Sequence, residues 1–361
     1  MATEGTFVLA DISGYTGFLS GVGLEHARVV TGHLFNGMLK ANRGHWKLAN
    51  VEGDCIFFYR DGREEPRVLL KHIQNLYEQF CGQIIEISGG GACPCGACTR
   101  INQLALKFIV HAGEFELQRI GRRQELFGSD VIVAHRLLKN SVPVDEYVLL
   151  TRSCAPDVDA PGFSAATGRD EYEAIGPVEY TYLDLEPARR SIEATNRFFL
   201  TPDQARIRLA IDIEAPPEAV WEAAGSLEKR QEWQDMRKIV ELPSRRGPLG
   251  QVHRCTYSYG TLVVEVTTAV DEASRRMTVK TFISRLIKEA YATVQVSERP
   301  GGGSRYGFYM TYREPIPVIS HVASRIIRLL VERFQGKALR RLKALCESEA
   351  EQRAASGPET M

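Results

Sequence analysis

Hydrophobic residues in the first half of the chain form short runs and helical stripes that alternate along the sequence. Residues 6–10 are a short, β-prone run before a polar turn, which predicts a buried strand. Residues 26–40 and 68–87 place apolar side chains at helical spacing and predict two amphipathic helices. Strand-like runs on either side of residues 51–54 predict a tight hairpin. Because these patterns alternate without a regular parallel cadence, this half is predicted to be α+β with a mixed or antiparallel sheet.

The second half predicts an antiparallel sheet followed by one long helix. Residues 207–213 alternate at period two, and a helix is expected at 218–224 because proline is tolerated in a first turn. Further strand-like runs follow at 251–259, 261–271, 276–282, 290–298 and 305–312. A long amphipathic helix is predicted from about residue 319 to 348. A curved sheet wrapped around such a helix encloses a cavity, and ligand sites are typically concave and mostly apolar.

Length and charge limit the possible organisation and partners. The chain has 361 residues, more than one hydrophobic core normally organises, so two domains are expected. The predicted division is residues 1–185 for a first domain with a Cys-rich insertion near 88–99, 186–204 for a connector, 205–348 for a second domain and 349–361 for a flexible tail. The balance of 45 Lys and Arg against 45 Asp and Glu argues against a nucleic-acid partner. No apolar run reaches the ~20 residues that cross a bilayer, and residues 1–5 lack a secretory signal, so we expect no transmembrane segment and a cytoplasmic location.

Two aspartates are the main candidates for chemistry in the first half. Asp11 ends the predicted strand and Asp54 lies in the predicted hairpin turn, and neighbouring antiparallel strands can bring both carboxylates to one rim. Such oxygen donors are suited to Mg²⁺, or Mn²⁺, against a polyphosphate. The residues whose backbone N–H groups are suited to phosphate oxygens are Ser13, Gly14, Tyr15 and Thr16. The alternative is that both aspartates only form turns and cap helices.

The segments around these aspartates resemble class III nucleotidyl cyclases. The matching segments are residues 7–16 for the first strand and phosphate loop, Gly53-Asp54 for the Gly-Asp hairpin, His111-Ala112-Gly113 for the His-x-Gly strand end, and 124–137 for the nucleotide-recognition segment. The resemblance covers residues 6–151 and implies a ferredoxin-like, cyclase-type α/β sandwich. It also implies that Asp11 and Asp54 bind the metal ions of a nucleoside triphosphate. In the homodimer that it implies, Arg136 of the other chain stabilises the charge on the transferring phosphoryl group.

Three positions depart from the cyclase pattern. Asn50 stands where adenylyl cyclases have a base-selecting lysine, and Glu125 aligns with the residue that reads the purine. Ile132 aligns with the asparagine that orients the ribose, and its side chain offers no hydrogen bond. Loss of one such donor typically raises the barrier by ~2.7–4 kcal/mol. The resemblance therefore favours metal and triphosphate binding, with Asn50 and Glu125 reading the base, over efficient cyclisation.

Three cysteines crowd into the Cys-rich insertion. Cys93, Cys95 and Cys98 can wrap a tetrahedral Zn²⁺ if a fourth donor approaches. The candidate fourth donors are Cys81, which is preferred, and Cys55 and His111 as alternatives. An iron–sulfur cluster is less favoured because the dedicated ferredoxin spacings are absent. The remaining interpretation is a set of loose thiols in a Gly-rich loop.

A second resemblance to a known family is found at residues 213–221 and at the later pair Glu232-Trp233. They are similar to the opening and the later tryptophan of the START-like helix-grip superfamily, also called SRPBCC or polyketide cyclase-like. The resemblance implies a helix-grip domain whose partner is a hydrophobic small molecule or lipid. The candidate cavity residues are Trp233, Met236, Tyr257, Tyr259, Phe282, Tyr291, Phe308, Tyr309, Met310 and Tyr312, with His253 and Glu265 as possible polar anchors. For each of them the alternative is ordinary core packing.

Two hypotheses about function follow. In the first, a cyclase-like domain binds a nucleoside triphosphate with Mg²⁺ and is coupled to a domain that binds a hydrophobic small molecule. That cyclase-like domain is then either a cyclase of altered base preference or a degenerate nucleotide sensor. In the second, the protein is a hydrophobic ligand or lipid carrier, or a polyketide cyclase-type enzyme. The N-terminal half is then a non-catalytic dimerisation scaffold.

Overall fold

A computed structural model of the chain describes residues 2–90, 100–155, 163–242, 248–258, 260–282, 288–313 and 320–356. The chain divides into two compact units, Met1–Ile85 with Gln103–Asn196, and Glu86–Asn102 with Arg197–Met361. Both units combine helices with sheets that are antiparallel at nearly every pairing, which confirms the α+β class. Across the described ranges, no helix combines the length and the hydropathy of a membrane span.

The first unit is built on one large sheet. Its strands are β1 (Thr3–Ser13), β2 (Lys47–Glu52), β3 (Cys55–Asp61), β4 (Ala105–Ile120), β5 (Arg123–Phe127), β6 (Tyr147–Thr151), β7 (Ser164–Tyr172) and β8 (Gly176–Asp184). The helices that begin in this unit are α1 (Tyr15–Ser20), α2 (Leu24–Asn42), α3 (Pro66–Gly90), α4 (Ser129–Arg136) and α5 (Glu186–Thr195). Within the described residues the strand order is β2-β3-β1-β4-β6-β8-β7, with β5 paired to β4. Neighbouring strands are antiparallel except β4 and β6, which run parallel.

Strand β1 lies between β3 and β4 and is buried on both faces. Phe7 and Leu9 join the core cluster that contains Val131 of α4, while Val8 and Ala10, on the opposite face, are equally inaccessible. A strand covered on both sides needs no polar alternation, which is why residues 6–10 read as one hydrophobic run. The predicted strand is confirmed, and it continues through the polar residues to Ser13.

The hydrophobic pattern does not predict the solvent-exposed strands of the first unit. Strand β4 continues well past the His-x-Gly segment at residues 111–113, which the cyclase resemblance treats as a strand end, because its second half forms a solvent-exposed hairpin with β5. Strand β7 is mostly exposed and pairs only with β8 at the edge of the sheet. Neither segment buries a regular row of apolar side chains, so the alternation that marks a half-buried strand is missing.

The second unit combines an antiparallel sheet with α-helices. Its strands are β9 (Ile207–Ile213), β10 (Met236–Leu242), β11 (Val252–Tyr257), β12 (Leu262–Asp271), β13 (Arg276–Phe282), β14 (Lys288–Glu298) and β15 (Ser304–Arg313). Its helices are α6 (Pro217–Gly225), α7 (Leu227–Trp233) and α8 (Ser320–Ser356). Among the described residues the strand order is β10-β11-β12-β13-β14-β15-β9. The period-two pattern at residues 207–213 coincides with β9.

The long helix α8 packs on this sheet, as a helix-grip fold requires. Leu339 and Leu342 of α8 are buried in one cluster with Trp233, Tyr306 and Phe308. Bulges interrupt the registers of β10 with β11, β12 with β13, and β14 with β15, and bulges bend the strands that contain them. The helix continues to Ser356, so the first part of the expected flexible tail is helical. Glu349 accepts a hydrogen bond from Lys229 of α7 at 2.9 Å, which ties this part of α8 to the unit.

Candidate functional site

The two predicted aspartates lie beside each other in the first unit. Asp11 faces Cys55 across the β1–β3 pairing, which places it next to Asp54 in the β2–β3 turn. The Ile12 amide donates to the Asp54 carbonyl at 3.0 Å, so the turn is fastened to β1 at this point. The pKa of Asp11 is raised by burial, an effect that Lys107 opposes and the charge of Asp54 reinforces. The negative charge of Asp54 therefore makes the ionised form of Asp11 less favourable.

A lysine already provides positive charge at this position. Lys107, which faces Asp11 across the β1–β4 pairing, places its Nζ 3.2 Å from Asp11 Oδ2. The same Nζ donates to the Leu138 carbonyl at 3.1 Å. The described residues contain no group of three or more His, Cys, Asp or Glu side chains arranged for a metal ion. A divalent cation here would have two carboxylates as ligands and would compete with Lys107 for Asp11.

The predicted phosphate loop is a tight turn into a short helix. Gly14 adopts φ 82°, a left-handed conformation that glycine reaches without strain, and α1 begins at Tyr15. The Phe18 amide donates to the Gly14 carbonyl at 3.0 Å. Ser13 Oγ donates to the Asp145 carbonyl at 3.4 Å. The turn has the shape expected of residues 13–16, while the Ser13 hydroxyl already has a protein partner.

The predicted base-reading and catalytic residues occupy separate elements. Asn50 of β2 donates through Nδ2 to Glu52 at 2.9 Å, and Glu125 lies on β5 opposite Gln118. Arg136 is the last residue of α4. Ile132, on the same helix, is 55% exposed, so an apolar side chain occupies a solvent-facing position.

The predicted zinc ligands Cys93, Cys95 and Cys98 lie outside the described residues. Cys81 of α3 and Cys55 of β3 are buried, and burial raises the pKa of the Cys55 thiol far above its usual value. Both ring nitrogens of His111 face protein groups, Nδ1 to Thr151 Oγ1 at 2.9 Å and Nε2 to Asp130 Oδ1 at 3.2 Å. A zinc site therefore stays a prediction, and His111 is committed to other partners.

The second unit contains a cavity of about 390 Å³ between the sheet and α8. Its wall is formed by residues from five neighbouring strands, β11 to β15, and by side chains of α6, α7 and α8. The apolar lining comprises Ala224, Val263, Met277, Val279, Ala292, Val294, Phe308, Met310, Ile327, Leu330, Val331, Phe334 and Ala338. The polar lining includes Arg230, Gln234, Asp235, Tyr257, Glu265, Tyr306, Lys337 and Arg341.

Most of the aromatic residues predicted for this cavity lie elsewhere. Tyr257 lines it, whereas Tyr259 lies outside the described residues. Trp233 is a core residue whose Nε1 donates to the Ala223 carbonyl at 3.1 Å. Phe282 packs against a separate cluster of valines on β11 and β12, and the Tyr291 ring contacts Phe198. Trp233, Phe282 and Tyr291 therefore pack against other side chains and do not line the cavity.

The prediction that Tyr309 lines the cavity is wrong, because successive residues of a strand face opposite sides of the sheet. Its neighbours Phe308 and Met310 line the cavity together with Tyr306, all on β15. Successive side chains point to opposite faces of a strand, so Tyr309 cannot share the face of Phe308 and Met310. The apolar and aromatic residues of 305–312 are nearly continuous, so the sequence does not indicate which alternate residues face the cavity.

A buried ion pair lies in the wall of this cavity. Arg230 of α7 is 4% exposed, and its Nη2 lies 2.6 Å from Oε2 of Glu265 on β12. Burial disfavours the Arg230 charge, but Glu265 more than offsets this and holds the Arg230 pKa above its ordinary value. Arg230 also reaches His253 Nδ1 through Nη1 and Gln234 Oε1 through Nη2, both at 3.4 Å. Burial and the Arg230 charge lower the pKa of His253, so its ring is neutral near pH 7.

Sequence reasoning missed Arg230. The hexapeptide from Glu228 to Trp233 contains two acidic and two basic residues and reads as a solvent-facing helical turn. Only pairing with Glu265, far along the chain on another element, brings the guanidinium inside. His253 and Glu265 were considered as polar anchors, and Glu265 does line the cavity.

Comparison with protein families assigns the two halves separately. Residues 204–347 match the family described as "Polyketide cyclase / dehydrase and lipid transport". Residues 31–147 match the family described as "Protein of unknown function (DUF2652)". The first match confirms the SRPBCC resemblance of the second half.

Individual relatives include one mycobacterial protein and several solved structures. "Uncharacterized protein Rv2561/Rv2562" of Mycobacterium tuberculosis is 34% identical over 153 residues, which are 42% of this chain and 72% of that protein. The guanylyl cyclase Cya2 is 13% identical with a TM-score of 0.40, covering 51% of this chain and 92% of that one. The adenylyl cyclase CyaB from P. aeruginosa is 14% identical with a TM-score of 0.37, covering 51% of this chain and 94% of that one.

These structural likenesses are distant and assign no activity to this chain. The mycobacterial match is of a different kind, because its identity and its share of the relative's length are both high. The chain belongs to the family of that Mycobacterium tuberculosis protein, and its residues 204–347 match the polyketide cyclase and lipid transport family.

Proposed function

We propose that the second unit binds an apolar small molecule in the cavity beneath α8. The observation that supports this most directly is the cavity itself, whose volume of about 390 Å³ lies within the roughly 300–1,000 Å³ of small-molecule sites. Its lining combines a large set of aliphatic and aromatic side chains with polar groups that can orient a ligand, as small-molecule sites do. Burial of apolar ligand surface contributes about 25 cal/mol per Å² and drives association.

Access to the cavity is provided on the side of α8. Leu330 and Phe334 line the cavity and are 49% and 45% exposed. Asp235 and Arg341 also line it and form a half-exposed ion pair, with Arg341 Nη1 3.4 Å from Asp235 Oδ2. A ligand can therefore enter beside α8 without unfolding of the sheet.

Binding of the neutral fluorescent probe N-phenyl-1-naphthylamine to the full chain tests this proposal. Ala292→Phe places a ring in the cavity wall between two other lining residues, Val279 of β13 and Met310 of β15. We expect this change to weaken probe binding by about tenfold or more, which corresponds to ~1.4 kcal/mol.

The matched control is Ala210→Phe, an exposed position on β9. Its probe affinity should equal that of the unmodified chain. Equal probe binding by all three proteins would place the probe outside the cavity and would overturn the proposal.

A second candidate function is binding of a nucleoside triphosphate with Mg²⁺ or Mn²⁺ in the first unit. It is favoured by the neighbouring positions of Asp11 and Asp54, which raise the cost of leaving both charged without a cation. In this proposal Asn50 and Glu125 read the base, and Arg136 of one copy in a homodimer faces the aspartates of the other. Ile132 makes cyclisation of the nucleotide inefficient.

Calorimetry with magnesium-loaded ATP and GTP tests the second candidate. We expect heat of binding from the unmodified chain and none from the Asp11→Asn/Asp54→Asn variant. Glu171→Gln, an exposed acidic residue of β7, is the control and should bind as the unmodified chain does. Flat traces from the unmodified chain would leave the first unit as a scaffold, and a cyclic product would establish turnover.

A further inference from the structure

Arg230 and Glu265 form a buried ion pair in the wall of a cavity that also has a large apolar lining. Both residues line the cavity, and their side chains are 5% and 10% exposed. Buried ion pairs are seldom retained for stability, because apolar residues of similar volume often stabilise a fold at least as well. A role in recognition is therefore the more economical explanation for this pair.

Two hydrogen-bond donors of this group are left without an acceptor. Among the described residues, Arg230 Nε and His253 Nε2 are buried and have no hydrogen-bond partner. Arginine can only donate, so the contact from Arg230 Nη1 makes His253 Nδ1 an acceptor and leaves the ring proton on Nε2. Buried polar groups are nearly always satisfied, and each exception requires an explanation.

The charges around Arg230 select the kind of acceptor. Glu265 already neutralises Arg230 and itself lines the cavity, so a carboxylate on the ligand would meet a like charge in a low-dielectric site. The other basic residues of the wall, Lys337 and Arg341, lie on α8, and Arg341 is half exposed and already paired with Asp235. An uncharged oxygen, as in a carbonyl or hydroxyl group, accepts from Arg230 without adding charge.

We infer that Arg230 donates a hydrogen bond to an uncharged carbonyl or hydroxyl oxygen at the buried end of the apolar ligand. Glu265, His253 and Gln234 position the guanidinium for this contact. The inference rests on the proposed ligand-binding function of the cavity and specifies the ligand as an apolar molecule with one neutral oxygen.

Competition against N-phenyl-1-naphthylamine with naphthalene, 2-acetylnaphthalene and 2-naphthoate tests the inference on the unmodified chain. These molecules share one ring system and differ in carrying no oxygen, a neutral carbonyl or a carboxylate. A hydrogen bond from a charged donor is worth enough to make 2-acetylnaphthalene bind about tenfold or more tightly than naphthalene. The affinity for 2-acetylnaphthalene should also be higher than the affinity for 2-naphthoate.

Two results separate this inference from the proposed function. If naphthalene and 2-acetylnaphthalene compete equally well, or 2-naphthoate competes best, the cavity binds apolar molecules but the oxygen-recognition role of Arg230 is wrong. If neither the probe nor any competitor binds, both the inference and the proposed function are wrong.

A double variant assigns the preference to the ion pair. Arg230→Met/Glu265→Leu replaces both charges with apolar side chains and avoids leaving one charge buried alone. The affinity for 2-acetylnaphthalene should fall to that for naphthalene, while naphthalene binds at least as well as before. The control variant Arg328→Met/Glu332→Gln removes an ion pair of α8 that is not part of the cavity lining and should keep the preference. Retention of the preference by the first variant would contradict the assignment.

Discussion

Lys107 Nζ lies 3.2 Å from Asp11 Oδ2 and provides the aspartate with a positive partner from the neighbouring strand. The two residues face each other across the β1–β4 pairing and are both largely buried. The ammonium group stabilises a carboxylate that burial and Asp54 together disfavour. In effect, the chain contains its own counterion at the place where the cyclase resemblance implies a metal ion.

The first prediction concerns removal of this counterion. Lys107→Met leaves the Asp11 carboxylate buried without its charged partner, so we expect a loss of about 1–3 kcal/mol in the free energy of unfolding at neutral pH. Because Lys107 competes with a divalent cation, Mn²⁺ should raise the melting temperature of this variant more than that of the unmodified chain. Thermal unfolding with and without Mn²⁺ measures both effects. An equal response of the two proteins to Mn²⁺ would exclude metal binding at Asp11.

The second prediction follows from the raised pKa of Asp11. A carboxyl whose pKa is raised on folding binds its proton more tightly in the folded chain. Its favourable contribution is complete below the ordinary pKa of 3.8 and is lost as the pH rises through the raised value. Asp11→Asn should therefore raise the melting temperature at neutral pH and give no gain below pH 3.8. Melting temperatures of both proteins across this range provide the measurement, and a gain that grows as the pH falls would show the opposite sign of coupling.

The third prediction concerns Gly113 in the His-x-Gly segment. A Cβ at this position would lie 2.2 Å from Asp130 Cγ. Asp130 is held by His111 Nε2 at 3.2 Å and by the Glu114 amide at 2.7 Å, so it cannot move away freely. We expect Gly113→Ala to destabilise the protein by about 1–3 kcal/mol in urea unfolding.

Two further variants check this explanation. The same change in an Asp130→Gly background should have a smaller effect, because the Asp130 side-chain atoms that the new Cβ would meet, the Cβ included, are then absent. Gly82→Ala, in a helix with open space around its Cβ position, should instead stabilise by about 0.5–1 kcal/mol. A full loss from Gly113→Ala in both backgrounds would mean that Asp130 is not the cause.

The fourth prediction concerns the stability of the buried pair in the second unit. Arg230→Met alone leaves Glu265 buried and unpaired, and we expect a loss of about 3–5 kcal/mol in the free energy of unfolding. Addition of Glu265→Leu should recover most of this loss, because no charge then remains to be buried. Urea unfolding of the single and double variants measures the recovery. Additive losses from the two changes would argue that the residues contribute through packing alone.

The sequence predicts some features of the fold well because their causes are local. The run at residues 6–10 is hydrophobic because both faces of β1 are covered, and the glycine at position 53 permits the hairpin that brings Asp54 to the end of β1. Residues 207–213 alternate because β9 has one buried face. In each case the pattern and the structure depend on a few consecutive residues.

Other features depend on contacts between distant residues. Arg230 is buried only because Glu265 lies on a strand that folds against α7, and no nearby residue signals this. Tyr309 lies off the cavity because the register of β15 with its neighbours fixes which alternate residues face inward. Lys107 reaches Asp11 through the register of β1 with β4. Register and long-range pairing are set by the whole sheet and leave little trace in any single segment.

The cavity wall contains a buried guanidinium, that of Arg230, and two partly exposed apolar side chains of α8, Leu330 and Phe334. A molecule whose oxygen meets the guanidinium is oriented by that contact, and its outward end is whichever part lies nearest Leu330 and Phe334, where solvent reaches it. Bulky groups attached at the outward end would then be tolerated, whereas alkylation of the oxygen or a shift of its position along the skeleton would prevent docking. Because every ligand molecule would then bind in the same orientation, the same part of the ligand would always face the solvent and any molecule that receives it.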